Sequence, residues 1–287
     1  MKMRVLVAAI GVPALLLVIF LLPPWAFGIV VGAIAAVSAL EFIMTTKVAG
    51  NIRVVIYAVV SAFCIPLWLS FDVYTVGGLL VALLLLLVLF VEALLAYDTE
   101  RAIPLWQIGL IFFAGAVIPL LLGTLSTLRA IYEGMPMGDG AVFFDGRVYV
   151  MIPIAIAFAS DSGAFFAGGA FGQHKLLEKV SPKKTREGSL GGFVAALVLM
   201  VVFWLVMTTV FDAQFNLWAV ALYAILGSAV AQLGDLAFSM MKREFGTKDF
   251  GALIPGHGGM LDRFDSMVVL APLIYVLVFL LPVFWQA

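Results

Sequence analysis

Long apolar runs separated by short polar joints make up almost the whole chain, and the runs have helical length. Gly78 to Val91 contains no polar side chain, whereas a strand of a membrane barrel alternates apolar and polar residues over about ten positions. Breaks in the pattern predict helices over roughly 4–22, 25–45, 52–70, 74–96, 104–126, 148–170, 190–211, 216–241 and 266–285. Most are close to the roughly 20 residues that a membrane crossing needs. Proline and charge mark the joints, at Pro23-Pro24, Lys47 to Arg53, Asp98 to Pro104, and Ser181-Pro182-Lys183-Lys184. No soluble domain, low-complexity tract or internal repeat interrupts the series.

Composition gives the same picture. The chain is 64% hydrophobic and 11% charged, with a mean hydropathy of +1.19, against about 25% charge in a soluble domain. Such a chain cannot cover itself with polar surface, and in lipid only helices and closed barrels satisfy their backbone. The expected fold class is therefore all-α, a polytopic transmembrane helical bundle of about nine spans. Residues 1–126 would form a five-helix N-terminal region. Residues 127–287 would form a four-helix catalytic region with cytoplasmic loops at 171–190 and 242–265. The net charge of −1 argues against a nucleic-acid partner. Cys64 is the only cysteine, so no internal disulfide forms, and its apolar setting suits a packing residue. Lys2 and Arg4 before an apolar run imitate a signal peptide. Pro23-Pro24-Trp25 follows instead of a small-x-small cleavage site, so the expectation is a first span.

Basic residues give the expected orientation. With a cytoplasmic N-terminus, the inside segments hold Lys2, Arg4, Lys47, Arg53, Arg101, Lys175, Lys179, Lys183, Lys184, Arg186, Lys242, Arg243, Lys248 and Arg263. Those are 14 of the 16 basic residues. Only Arg129 and Arg147 fall outside. The N-terminus is expected inside and the C-terminus outside.

The first five spans are nearly featureless, and Glu41 and Glu92 near their helix ends are read as snorkelling to the interface. The last four differ. A charge at membrane depth costs a few kcal/mol, so Asp161 in Ser160-Asp161-Ser162-Gly163 needs a reason. Gly168 and Gly172 follow it on the same helical face, where small residues admit a neighbouring helix. Ser228, Gln232, Asp235, Ser239 and Lys242 recur at steps of four, three, four and three, which keeps them on one face. Serine and glutamine alone would suit interhelical hydrogen bonding; the added carboxylate and ammonium point to a polar cavity.

Two polar segments abut these spans. One runs from His174 to Gly188 and contains Ser181-Pro182-Lys183-Lys184-Thr185. The other contains Pro255-Gly256-His257-Gly258-Gly259, then Asp262-Arg263-Phe264-Asp265. Glycines around His257 would let backbone amides approach an anion. Asp262 and Asp265, three apart, would project from one face of the turn opening the last helix. Oxygen-only ligation suits a hard cation such as Mg²⁺, and the nearby Lys and Arg would neutralise phosphates. His257 reads first as a hydrogen-bonding residue that orders the loop, with general acid/base function as the lesser alternative. The combination describes phosphoryl or nucleotidyl transfer by positioning and charge neutralisation.

The run Ser239-x-x-Lys242-Arg243-x-x-x-x-Lys248-Asp249-x-x-x-x-x-Pro255-Gly256-His257-Gly258-Gly259-x-x-Asp262-Arg263-x-Asp265 resembles the signature of the phosphatidate cytidylyltransferases, or CDP-diacylglycerol synthases. Asp235, the Ser181-to-Thr185 segment and the Asp161-Ser162-Gly163 setting are similar to family features too. Many members carry Asp-Thr-Gly at the last of these. The resemblance covers the chain from about 155 onward.

It implies a bacterial inner-membrane enzyme, its active site facing the cytoplasm, that joins CTP to phosphatidic acid and releases pyrophosphate. It also implies Mg²⁺ with a second cation such as K⁺, held by Asp235, Asp262 and Asp265. Lys242, Arg243, Lys248 and Arg263 would pair with phosphates, and Lys183 and Lys184 would close over the nucleotide. Ser239, His257, Gly258 and Gly259 would lie in the substrate site, with Asp161 as a further ligand or acceptor. A homodimer is implied by the resemblance alone. The alternatives are a relative acting on another lipid phosphate and an ion-coupled transporter. The Asp-Gly-x-x-Ala-Arg pattern of CDP-alcohol phosphotransferases does not occur.

Overall fold

A computed structural model describes residues 2–48, 51–71, 76–99, 102–132, 135–138, 141–211, 213–253 and 258–285. Nine long helical segments account for most of them. They are α1 (Lys2–Leu21), α2 (Pro24–Thr46), α3 (Ile52–Leu69), α4 (Val76–Ala96), α5 (Leu105–Phe112) continued by α6 (Ile118–Ala130), α7 (Gly146–Phe171), α8 (Arg186–Val210), α9 (Leu217–Glu244) and α10 (Leu261–Leu280). Eight of the nine are long and apolar enough to cross a membrane. The protein is a polytopic helical bundle, as the hydropathy pattern predicts. The last helix starts five residues earlier than predicted, so both Asp262 and Asp265 lie inside it.

Two compact units divide the chain. The first comprises Met1–Ala130 and Phe245–Phe264. Here α2 packs on α3 and α6, and α3 packs on α4 and α6. Close approach depends on glycine: a Cβ on Gly32 would stand 2.6 Å from the Phe63 carbonyl oxygen. A π turn, Phe113–Val117, joins α5 to α6 and brings Gly115 against Ala58, where a Cβ would meet its Cα at 2.8 Å. Local signals set the helix ends. Pro24 opens α2 at a position whose N–H needs no partner, and the Asn51 side chain caps α3 by accepting from Arg53 N at 3.0 Å. Cys64 is unpaired in α3. Most of α4 faces outward, with Leu79, Leu80, Leu83, Leu84 and Leu87 exposed, as lipid contact requires.

The second unit comprises Ile131–Glu244 and Asp265–Ala287. Its densest packing is α7 against α8, with α9 against both. Small residues make this possible. A Cβ on Gly163 would lie 2.4 Å from Ala195 Cβ, and one on Gly191 would lie 2.2 Å from Ala167 Cβ. Gly168, predicted to admit a neighbour, faces Thr185 and Gly188. The described residues of the unit also form three short antiparallel pairs: β1 (Pro136–Gly138) with β2 (Ala141–Val142), β3 (Lys175–Leu177) with β4 (Ser181–Thr185), and β5 (Gln214–Phe215) with β6 (Phe284–Trp285). Two buried tyrosines secure the chain end: Tyr149 donates to Phe284 O at 3.2 Å and Tyr223 to Leu281 O at 3.1 Å.

Candidate active site

The segment Ser181-Pro182-Lys183-Lys184-Thr185 is strand β4, paired antiparallel with β3. Several polar groups hold this hairpin in place. Thr185 caps α8 by accepting from Gly188 N at 3.1 Å. The Glu187 carboxylate accepts from the backbone amides of Gln173 and His174 and pairs with His174 Nδ1 at 2.6 Å. Arg243, at the end of α9, donates from Nε to Val180 O at 3.3 Å. Arg243 thus has a structural task at the hairpin turn, whatever it does for phosphates.

Beneath the hairpin is a cleft of about 260 Å³, lined by Asp161, Lys183, Lys184, Ser189, Gln232 and Asp235 among others. Lys184 Nζ and Asp235 Oδ2 form an ion pair, and Ser239 Oγ donates to Asp235 Oδ1 at 3.3 Å. One turn further along α9, Lys242 Nζ lies 3.7 Å from Asp265 Oδ2. The charges of Asp235 and Asp161 also act on Asp265, so three carboxylates and the three ammonium groups of Lys183, Lys184 and Lys242 share this end of the unit.

The polar stripe of α9 divides between two roles. Its lower half ties helices together: Ser228 Oγ lies 2.9 Å from Ser160 Oγ, and Gln232 Nε2 donates to Ser228 Oγ at 3.1 Å and to Ser189 O at 3.3 Å. Ser189 Oγ in turn donates to Gln232 Oε1 at 2.5 Å. From Asp235 upward the stripe carries the charged groups of the cleft. Both readings of the stripe, interhelical bonding and polar cavity, are therefore realised a turn apart.

The glycine loop and the start of α10 belong to the first unit. Asp262 is 7% exposed, and its Oδ2 accepts from Phe250 N and Gly259 N, both at 2.9 Å. Gly258 adopts φ +83°, a conformation suited to glycine, and a Cβ there would stand 3.1 Å from Asp262 Oδ2. The Gly259 amide, expected to face an anion, faces the Asp262 carboxylate. Lys248 and Arg263 are exposed. His257, with Pro255 and Gly256, lies outside the described residues.

Sequence reasoning missed Glu41. It does not snorkel: its two carboxylate oxygens accept from Met260 N and Leu261 N, both at 2.9 Å. Glu92 likewise has a partner, accepting from Tyr57 OH at 3.3 Å. No pattern in the chain signals either contact.

A family model described as the cytidylyltransferase family matches residues 2–281. The chain belongs to this family. It is 34% identical over 289 residues to a protein of Haemophilus influenzae named phosphatidate cytidylyltransferase, covering 95% of this chain and 96% of that one. Proteins of the same name from Staphylococcus haemolyticus and Staphylococcus aureus are 40% and 39% identical over 146 residues, covering 49% of this chain and 55% of theirs.

For a cytidylyltransferase the donor set bears on metal binding. Among the described residues, no three His, Cys, Asp or Glu side chains are grouped closely enough to hold an ion by themselves. Magnesium rarely asks for that: one or two carboxylates commonly hold it, with water and substrate phosphates completing the octahedron. Asp235 and Asp265 offer carboxylate oxygens beside lysines that suit phosphate, so the residues fit such an ion.

Proposed function

We propose that this cytidylyltransferase joins CTP to phosphatidic acid, giving CDP-diacylglycerol and pyrophosphate. A phosphate oxygen of the lipid attacks the α-phosphorus of CTP. The new P–O bond forms as the bond to the β-phosphate bridging oxygen breaks, and pyrophosphate carries the electron pair away. The observation that carries the reading is the cleft lined by Lys183, Lys184, Asp161 and Asp235, in a chain matched by the family over nearly its whole length.

Lys183 and Lys184 would neutralise the triphosphate, with Lys184 set by Asp235. Lys242, Lys248, Arg243 and Arg263 are candidates for further phosphate contacts. Ser239 and Asp161 would orient the ligands around them, with Gly258, Gly259 and His257 in the loop before α10. Magnesium would be held by Asp235 and Asp265, with water and substrate phosphates completing its shell, and Asp262 is a ligand that the family signature alone adds. The amides on Asp262 would orient it, as hydrogen bonds commonly orient metal-ligating carboxylates. When bound, the ion would supply charge neutralisation on the phosphates, and K⁺ is a candidate second cation.

The basic-residue asymmetry supports a cytoplasmic N-terminus and a site on the cytoplasmic side of a bacterial inner membrane. Family resemblance supports a homodimer. A substrate panel tests the reading: purified protein, with magnesium, should form a nucleotidyl lipid from CTP and phosphatidic acid but not from CTP and diacylglycerol. Product from another lipid phosphate only would redirect the assignment to that lipid.

A further inference from the structure

We infer that Glu41, in the second membrane helix, is a positioning residue for Asp262, the signature carboxylate in the first turn of α10, and acts through the backbone amides that open that helix. The inference rests on the transferase reading above and assigns a task to spans that carry no other recognisable chemistry.

The start of α10 presents a run of backbone amides that no intrahelical carbonyl can satisfy. Two carboxylates take them up. Asp262 Oδ2 accepts from Phe250 N and Gly259 N, and the two oxygens of Glu41 accept from Met260 N and Leu261 N, each at 2.9 Å. Gly259, Met260 and Leu261 thus donate in succession to acidic side chains. Charge-assisted bonds of this kind are about twice as strong as neutral ones, and an anion at a helix N-terminus is further favoured by the helix dipole.

The fit around Glu41 is tight. A Cβ on Gly251 would stand 2.3 Å from Glu41 Oε1, and one on Gly259 would stand 2.5 Å from Oε2. Glycine at both positions leaves room for this carboxylate and for nothing larger. The next turn of α2 adds a second hold on the same segment. Thr45 Oγ1 donates to Phe250 O at 2.7 Å, and the rings of Phe42 and Phe250 lie 5.7 Å apart. Glu41, Phe42 and Thr45 therefore grip both ends of the stretch whose amides fix the Asp262 carboxylate. If Glu41 lets go, the first turn of α10 loses two acceptors and Asp262 loses the fixed amides that orient it.

Glutamine at position 41 keeps the length but replaces one acceptor by a donor that faces an N–H. Two readouts separate positioning from general stability. The first is amide hydrogen exchange in the metal-free protein. The second is kinetics with CTP and phosphatidic acid. Glu41→Gln should exchange at least tenfold faster than wild type over 258–262, with other helices unchanged. It should also lower kcat at least tenfold while KM for phosphatidic acid stays within twofold. Gly251→Ala, which displaces the same carboxylate without touching it chemically, should reproduce both effects. Wild-type exchange and wild-type kcat in either folded variant would overturn the inference. Should Glu41→Gln not fold, rapid exchange of the Met260 and Leu261 amides in the wild type would overturn it equally. An inactive wild type would overturn the transferase reading instead, and the exchange arm would still decide whether Glu41 holds the loop.

Discussion

Lys242 Nζ lies 3.7 Å from Asp265 Oδ2, and the two side chains are only 9% and 12% exposed. A buried ion pair contributes little net stability against an apolar pair of the same shape. Breaking it by removing one partner is different, because the remaining charge stays buried and uncompensated. Lys242→Met should therefore destabilise the protein by about 3 kcal/mol, read as a lowered midpoint of thermal unfolding in detergent. Lys242→Met combined with Asp265→Leu should recover much of that loss while leaving no transferase activity.

Lys184 and Asp235 also form an ion pair, but their side chains are 30% and 26% exposed. Solvent screens such a pair, and its removal changes stability by less than about 1 kcal/mol. Its expected importance is chemical. Lys184→Ala should leave the unfolding midpoint nearly unchanged while lowering kcat/KM for CTP about a hundredfold, the usual consequence of removing one charge-stabilising donor. Comparable losses in stability and activity would instead mark Lys184 as structural.

Gln232 sits where α7, α8 and α9 meet, bonded to Ser160, Ser189 and Ser228. Gln232→Leu would strand these partners at a cost of about 1–3 kcal/mol. Because no charge is lost, activity at a temperature well below unfolding should fall by less than it does for Lys184→Ala. Thermal unfolding and initial rates, measured on the same preparation, check the ordering.

Gly163 faces Ala195 and the Gly191 carbonyl with no space for a methyl group. Gly163→Ala should push α7 from α8 and cost about 1–3 kcal/mol, whereas Gly169→Ala, with nothing within 4 Å of its Cβ, should be nearly neutral. The pair is checked by comparing unfolding midpoints.

Helix periodicity made much of this site readable in advance. The stripe from Ser228 to Lys242 follows from steps of three and four, and the structure places it along one face with the cleft at its upper half. Gly168, which faces Thr185 and Gly188 at the start of α8, was legible for the same reason, whereas the tighter contacts of Gly163 and Gly191 were not. The β3–β4 hairpin was not, because its pairing rests on a short polar segment without an alternating apolar pattern; it read as a basic loop. Glu41 was hidden for another reason. Its partners lie 219 and 220 residues away in sequence, and a carboxylate near a helix end looks the same whether it reaches water or a second helix. Arg243 reads as a phosphate ligand from its place in the signature, and only the fold shows it bonded to Val180 O.

The most direct test follows the α-phosphate of CTP. Purified wild-type protein, Lys184→Ala and Asp235→Asn would each receive phosphatidic acid, magnesium and CTP labelled at the α- or the γ-phosphorus. The account predicts that wild type moves the α-label into a lipid-soluble product and releases the γ-label as pyrophosphate, and that both folded variants lose this transfer by about a hundredfold or more. Label that stays in water with wild-type protein, or full transfer by the two variants, would contradict it.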